Sequence, residues 1–225
     1  LQDKQGIMQT IFRYRNSCFC GSFILWAVLC VFLCISACNS PKARPVVQHS
    51  VLLEDTINFA RIIVAGDAMA HGTQIKYAKE SENGAHDFSG CYQYMMDILA
   101  GGDLNIVNVE TTFAGEPYSG YPQFCAPDEF ATALRDAGFN FFLLANNHIA
   151  DKGTKGATMT IEKLADMGIP SAGLYINEQD RKDRYPAIAE VNGIKIALLN
   201  YTYGTNGYVV SAPVSINNLN DTLQI

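Results

Sequence analysis

The sequence predicts an α/β sandwich with a mainly parallel core sheet. Apolar runs rich in β-branched or aromatic residues recur at 59–67, 104–110 and 139–144. Stretches with apolar residues at helical spacing separate them. Each run also ends abruptly in polar residues, as strands do where they leave the core of an open sheet. Strands alternating with helices favour parallel pairing, because a parallel connection needs a crossover long enough to hold a helix. No GxGxxG or Walker-type loop is present, so a nucleotide-binding fold lacks its usual signature.

The chain has 225 residues, 48% hydrophobic and 17% charged, which suits one globular domain plus extras. Its net charge is −6. Residues 1–38 carry Lys4, Arg13 and Arg15 against Asp3, so the remainder is more acidic still. Such a surface repels nucleic acid, and no nucleic-acid partner is expected. Five of the seven cysteines (Cys18, Cys20, Cys30, Cys34, Cys38) fall in the N-terminal apolar run. Cys91 and Cys125 could pair or stay as thiols; a core of this size needs no staple, which favours thiols.

The N-terminus reads as an address. Arg13 and Arg15 precede an uncharged stretch from Cys18 to Cys38, and Met8–Ala37 has the layout of a signal peptide. Its end, Ile35-Ser36-Ala37-Cys38, resembles the bacterial lipobox, which implies cleavage before Cys38 and lipid attachment there. An uncleaved membrane anchor is the alternative, since roughly 20 apolar residues span a bilayer. Either way the domain is expected outside the cytoplasm, held to the membrane of the cell envelope. Residues 39–58, with Pro41, Pro45 and mixed charge, read as a tether.

The domain then begins with FARIIVAGD (59–67) as the first core strand, followed by AMAHG with His71. Residues 76–87 read as a polar excursion with His86 exposed. Residues 90–100 read as an amphipathic helix with core methionines, stopped by Gly101-Gly102. LNIVNVE (104–110) is the second core strand. A loop from Thr111 to Pro122 suits either a rim over a site or plain surface. Pro127-Asp128-Glu129 opens a helix with a stripe of Phe130, Ala133, Leu134 and Ala137, ended by Gly138. The next strand, 139–144, reads as buried on both faces. A helix follows from about 154 to 167, with Ala157, Ile161, Leu164 and Ala165 inward. A short strand at 171–174 leads to a hairpin at 186–204, whose Asn192-Gly193 corner suits a two-residue turn.

The polar strand ends carry the chemistry. Asp67, then Asn108 and Glu110, then Asn146, Asn147 and His148 terminate successive strands, and in a parallel sheet these ends share one edge. Divalent cations take oxygen and imidazole ligands, and a carboxylate can bridge two ions. Asp67 and Glu110 supply charge and Asn147 a neutral oxygen. His148 could contact an anionic oxygen or protonate a leaving group. The plain alternative is a strand-to-helix corner with Asn146 or Asp151 as cap.

These stretches resemble the calcineurin-like metallophosphoesterase superfamily, and more closely the bacterial capsule-synthesis (CapA, poly-γ-glutamate biosynthesis) family. The matching motifs are AGDAMAHG (65–72), NVETTFAG (108–115) and LANNHIADKG (144–153), with LADMGIPSAG and GIKIALLNYTYG downstream. The resemblance runs from about residue 60 onward. It implies a metallophosphoesterase-like fold and two divalent ions of the Mn, Fe, Zn or Mg class in a complete protein. It makes Asp67 a ligand, Glu110 the bridging carboxylate, Asn147 a ligand and His148 the phosphate-contacting histidine. His71 either turns inward as a further ligand or is a loop histidine, because Met69 stands where the superfamily's first motif has its histidine. Asp151 fixes His148 or caps the helix. Relatives continue into two further histidine motifs, so 59–225 is expected to be the N-terminal portion of such a domain, its C-terminal part missing and its site incomplete.

Two functions follow from the resemblance. One is an envelope-anchored enzyme acting on an envelope polymer or a phosphorylated substrate by metal-dependent hydrolysis. The other is a non-catalytic protein that holds a capsule polymer or serves as a subunit of a capsule-synthesis or export complex.

Overall fold

The structure, a computed structural model, describes residues 57–79 and 85–220. The apolar N-terminal run, Cys38 and most of the tether lie outside the described residues. Among the described residues, no helix is long and apolar enough to cross a membrane.

Four parallel strands form the central sheet in the order β1-β2-β3-β4: Ile62–Ala68, Leu104–Val109, Phe141–Leu143 and Ser171–Ala172. Chain order equals spatial order, so every crossover steps the same way. Right-handed crossovers then put their helices on one face. These are α1 (Gly72–Ala78) and α2 (Met96–Leu99) between β1 and β2, α3 (Asp128–Ala137) before β3, and α4 (Gly153–Asp166) before β4. The main core lies on that side, built from Val107, Val109, Phe130, Leu134, Phe142, Ala157 and Leu164 among others.

The opposite face needs a different cover, and the hairpin of β6 (Ala187–Val191) and β7 (Ile194–Leu198) supplies it. Leu104, Ile106, Phe141 and Ala172 pack there with Ala189, Ile196 and Leu198. The hairpin turns at Asn192 (φ 50°) and Gly193 (φ 78°), the paired positive φ values that an Asn-Gly corner adopts readily. A last pair, β5 (Leu174–Tyr175) and β8 (Ser215–Ile216), runs antiparallel beside helix α5 (Glu178–Arg184).

The α/β class, the parallel core and the hairpin agree with the sequence reading; several elements do not. Among the described residues β1 lies at the edge of the sheet: Ile63 and Ala65 pack inward, while Ile62 and Val64 are exposed. Helix α1 runs into the polar excursion and covers its first residues, 76–78. His86 is buried, not exposed, stacked on Phe88 and edge-on to Tyr118, since an imidazole packs as an aromatic when rings surround it. The helix at 90–100 shrinks to a 3-10 turn (Ser89–Cys91) and α2; Leu99 is buried, but Met96 and Ile98 face out. On α3, Ala131 is buried and Ala133 only partly; on α4, Ala165 is exposed while Gly156 and Thr160 are buried. The strand at 171–174 breaks at Gly173 into β4 and β5, and α5 and β8 carried no clear apolar period. Cys91 and Cys125 are both free thiols.

Candidate functional site

The carboxyl ends of β1, β2 and β3 meet as the strand order requires, and a bulge decides what they present. Ala65 pairs with Val107 and Ala68 with Val109, so Gly66 and Asp67 together face the single residue Asn108. Without the extra residue Asp67 would stand opposite Val109, on the buried side. The bulge turns its side chain to the side of Asn108. There the amide of Asn108 donates to Asp67 Oδ1 at 2.6 Å and to Glu110 Oε2 at 3.2 Å. Glu110 is buried at the end of β2. Burial first, and the Asp67 charge second, push its carboxyl above the usual carboxylate range, while His148 pulls the other way.

The third strand end is bonded to the second. Asn146 donates from its side-chain nitrogen to Asn108 Oδ1 at 3.1 Å and to the Val109 carbonyl at 2.9 Å, and its Oδ1 accepts from the His148 backbone N–H. His148 is itself buried, with Nε2 3.9 Å from Glu110 Oε1 and Nδ1 2.7 Å from Asp151 Oδ2. A carboxylate can only accept, so Nδ1 carries the hydrogen and Nε2 is left facing Glu110 with its lone pair. Asp151 Oδ2 also accepts from the Phe124 backbone N–H at 2.6 Å. Of the two roles the sequence allowed Asp151, orienting His148 is the one its contacts fit.

Asp67, Glu110 and His148 thus stand together. Asn147 is beside them but points to Asn206 Oδ1 at 3.4 Å. His71 is exposed before α1, its backbone N–H donating to Gln74, and reaches the group only through Phe124. The Phe124 ring meets His71 edge-on at 5.0 Å and His148 at 4.8 Å. Phe124 lies just beyond the 111–122 loop and packs its ring against both imidazoles. The sequence placed Asn108 and Asn146 at the strand ends without a connecting role, and it did not single out Phe124 as wall or Asn206 as neighbour. Asn108 had a usable signal: it lies two residues before Glu110, on the same strand face.

Two carboxylates and an imidazole are residue types that a hard or borderline divalent cation takes, while the amide between the carboxylates presents its nitrogen. The crowding of Glu110 against Asp67 is the physical mark of a place short of positive charge. Asn108 supplies only the positive end of a dipole there. Among the described residues, no group of three or more His, Cys, Asp or Glu is placed to hold a metal ion.

Residues 61–222 match the family described as "Bacterial capsule synthesis protein PGA_cap". The chain belongs to this capsule-synthesis family. It is also similar to the capsule biosynthesis protein CapA of Bacillus anthracis, at 35% identity over 77 residues. That match covers 34% of this chain and 18% of the relative's length. The stretches 65–72, 108–115 and 144–153 lie within the matched residues, and the bulge and the asparagine contacts bring them together.

Proposed function

We propose that this capsule-synthesis protein works at the cell envelope as a divalent-metal-dependent phosphoesterase on an envelope polymer or a phosphorylated precursor. One observation carries the reading: Asp67 and Glu110 face a single amide, beside a histidine whose Nε2 is turned toward the same place. Asp67, Glu110 and Asn147 would hold the cation. When bound, such an ion supplies Lewis-acid stabilisation and an activated water. His148, held by Asp151, would in its doubly protonated form hydrogen-bond an anionic oxygen or pass a proton to the leaving group through Nε2. Phe124 excludes water from one side of the imidazole. His71 meets Phe124 edge-on and is left out of the reading. Attachment through Cys38, or through the apolar run itself, accounts for the envelope location proposed.

Exposed Tyr121 and Tyr203, on the 111–122 loop and in the segment that leads to Asn206, favour a second reading, in which the site grips a polymer without cleaving it. The acidic surface opposes a polyanion unless bound cations bridge the two. Mn²⁺ titration of the full chain, with hydrolysis of bis(p-nitrophenyl) phosphate, separates the cases. Hydrolysis lost with Asp67→Ala supports the enzyme. Mn²⁺-dependent polymer binding without hydrolysis supports the second reading. No Mn²⁺ binding at all sinks both.

A further inference from the structure

The loop that carries Asn147 and His148 leaves the sheet at a point where it loses its strand partner. β3 pairs with β4 only as far as Leu143 with Ala172. At Gly173 (φ 97°) the neighbouring chain turns away. Leu144 still reaches the Ala172 carbonyl at 2.9 Å, but Ala145 has no strand beside it. Buried backbone groups cannot be left bare without a cost.

A side chain takes the strand's place. Asn200, just beyond β7, accepts from the backbone N–H of Ala145 at 2.6 Å and of Leu144 at 3.0 Å through Oδ1. Its Nδ2 donates to the Ala145 carbonyl at 3.2 Å. Donor and acceptor of one amide thus reproduce the pattern a β-strand would offer. Asn200 is held in turn: its carbonyl accepts from Asn217 Nδ2 at 3.0 Å, and Asn217 donates its backbone N–H to the Gly173 carbonyl at 3.0 Å. Gly173 is required for the fit. A Cβ there would lie 2.1 Å from Asn200 Oδ1 and 2.7 Å from the Ala145 nitrogen.

We infer that Asn200 is a positioning residue: it replaces a missing strand and fixes where Asn146, Asn147 and His148 project toward Asp67 and Glu110. The inference rests on the proposed function only in that Asn147 and His148 are taken as the working groups. It adds a residue that touches neither carboxylate and acts through backbone alone.

The test compares Asn200→Ala, which removes all three bonds, with Asn200→Asp, which keeps the two accepted ones. Leu199→Ala, on the exposed neighbour, is the control. Amide exchange at Leu144 and Ala145, the ¹⁵N signals of the His148 ring and turnover of bis(p-nitrophenyl) phosphate with Mn²⁺ are measured on the full chain. Asn200→Ala is expected to speed Ala145 exchange by about tenfold, the worth of one hydrogen bond, while Val107 in β2 keeps its protection. The His148 ring signals should shift. Turnover should lose kcat by about tenfold with KM within about twofold, because the loss lies in placement and not in substrate contact. Asn200→Asp should recover most of the protection and rate. Unchanged His148 signals and Ala145 exchange in folded Asn200→Ala overturn the inference. If Asn200→Ala does not fold, loss of Ala145 protection in Asn200→Asp overturns it equally. A wild-type protein that neither binds Mn²⁺ nor turns over the ester defeats the proposed function, while exchange and ring signals still decide the role of Asn200.

Discussion

Asp151 offers the sharpest test of how His148 is held. Its Oδ2 lies 2.6 Å from the Phe124 nitrogen and 2.7 Å from His148 Nδ1, and the side chain is fully buried. Asp151→Ala strands the Phe124 N–H in a buried place, which costs about 1–3 kcal/mol. It also removes a charge-assisted bond to the imidazole, about 1.5–3 kcal/mol. Part of this is returned, because Asp151 Oδ1 is buried without a partner and its desolvation disappears with it. The balance is a loss of about 3 kcal/mol, or roughly 6–12 °C in Tm for a domain of this size. Asp151→Asn can set its amide oxygen where Oδ2 stands and keep both bonds, with its nitrogen in the place of the unpartnered Oδ1. It loses only the charge on the acceptor, at a cost of about 1 kcal/mol, and the imidazole hydrogen stays on Nδ1. Thermal unfolding followed by circular dichroism measures the stabilities, and ¹⁵N spectra of the ring report the tautomer. The reasoning is refuted if Asp151→Ala unfolds within about 0.5 kcal/mol of wild type, the range of an uninvolved surface change. It is refuted as well if Asp151→Asn moves the hydrogen to Nε2 or destabilises the fold as much as Asp151→Ala.

Other outcomes follow from the same contacts. Gly173→Ala combines a φ of 97° with a Cβ 2.1 Å from Asn200 Oδ1; it should cost about 2–4 kcal/mol by urea unfolding, more than strain at a positive φ alone. Glu110 is held above the usual carboxylate range by burial and by Asp67. Folding therefore favours its neutral form, and its contribution to stability falls as pH rises from the ordinary glutamate value through the raised one. Glu110→Gln should accordingly raise Tm slightly at neutral pH without added metal, yet abolish Mn²⁺ binding in calorimetry. In the wild type, Mn²⁺ affinity should strengthen as pH rises through the same window, because the ion must displace the Glu110 proton. Asp180 shows the opposite sign: bonds from Arg184 hold its carboxyl below the usual aspartate range. Its stabilisation is present above that range and lost as pH falls through the lowered value. Asp180→Asn should cost about 1 kcal/mol at neutral pH after solvent screening, and the gap to wild type should close in acid.

Much of the framework is written in local order. The apolar runs of β2 and β3, Gly138 after α3 (φ 116°), and Asn192-Gly193 in the hairpin each specify their own backbone, because burial pattern and glycine freedom act within a few residues. Order along the chain also specified that Asp67, Glu110 and His148 would end up on one edge, since parallel strands joined by helices have no other place for their ends. Misreadings fell where distant surfaces decide. β1 reads as a core strand, yet Ile62 and Val64 are exposed, and His86 looks solvated until Phe88 and Tyr118 close on it.

Residue type and strand order alone determined the chemistry on offer: two acids, a histidine and amides at neighbouring strand ends, in the pattern of the capsule-synthesis family. Tertiary structure decided how those groups are aimed. A one-residue bulge turns Asp67 away from the core side, and Asn200, which lies 55 residues from Ala145 in the chain, stands in for an absent strand. Neither leaves a local trace, because a bulge is a mismatch between two strands and a side chain bonded to remote backbone has no periodicity to reveal it.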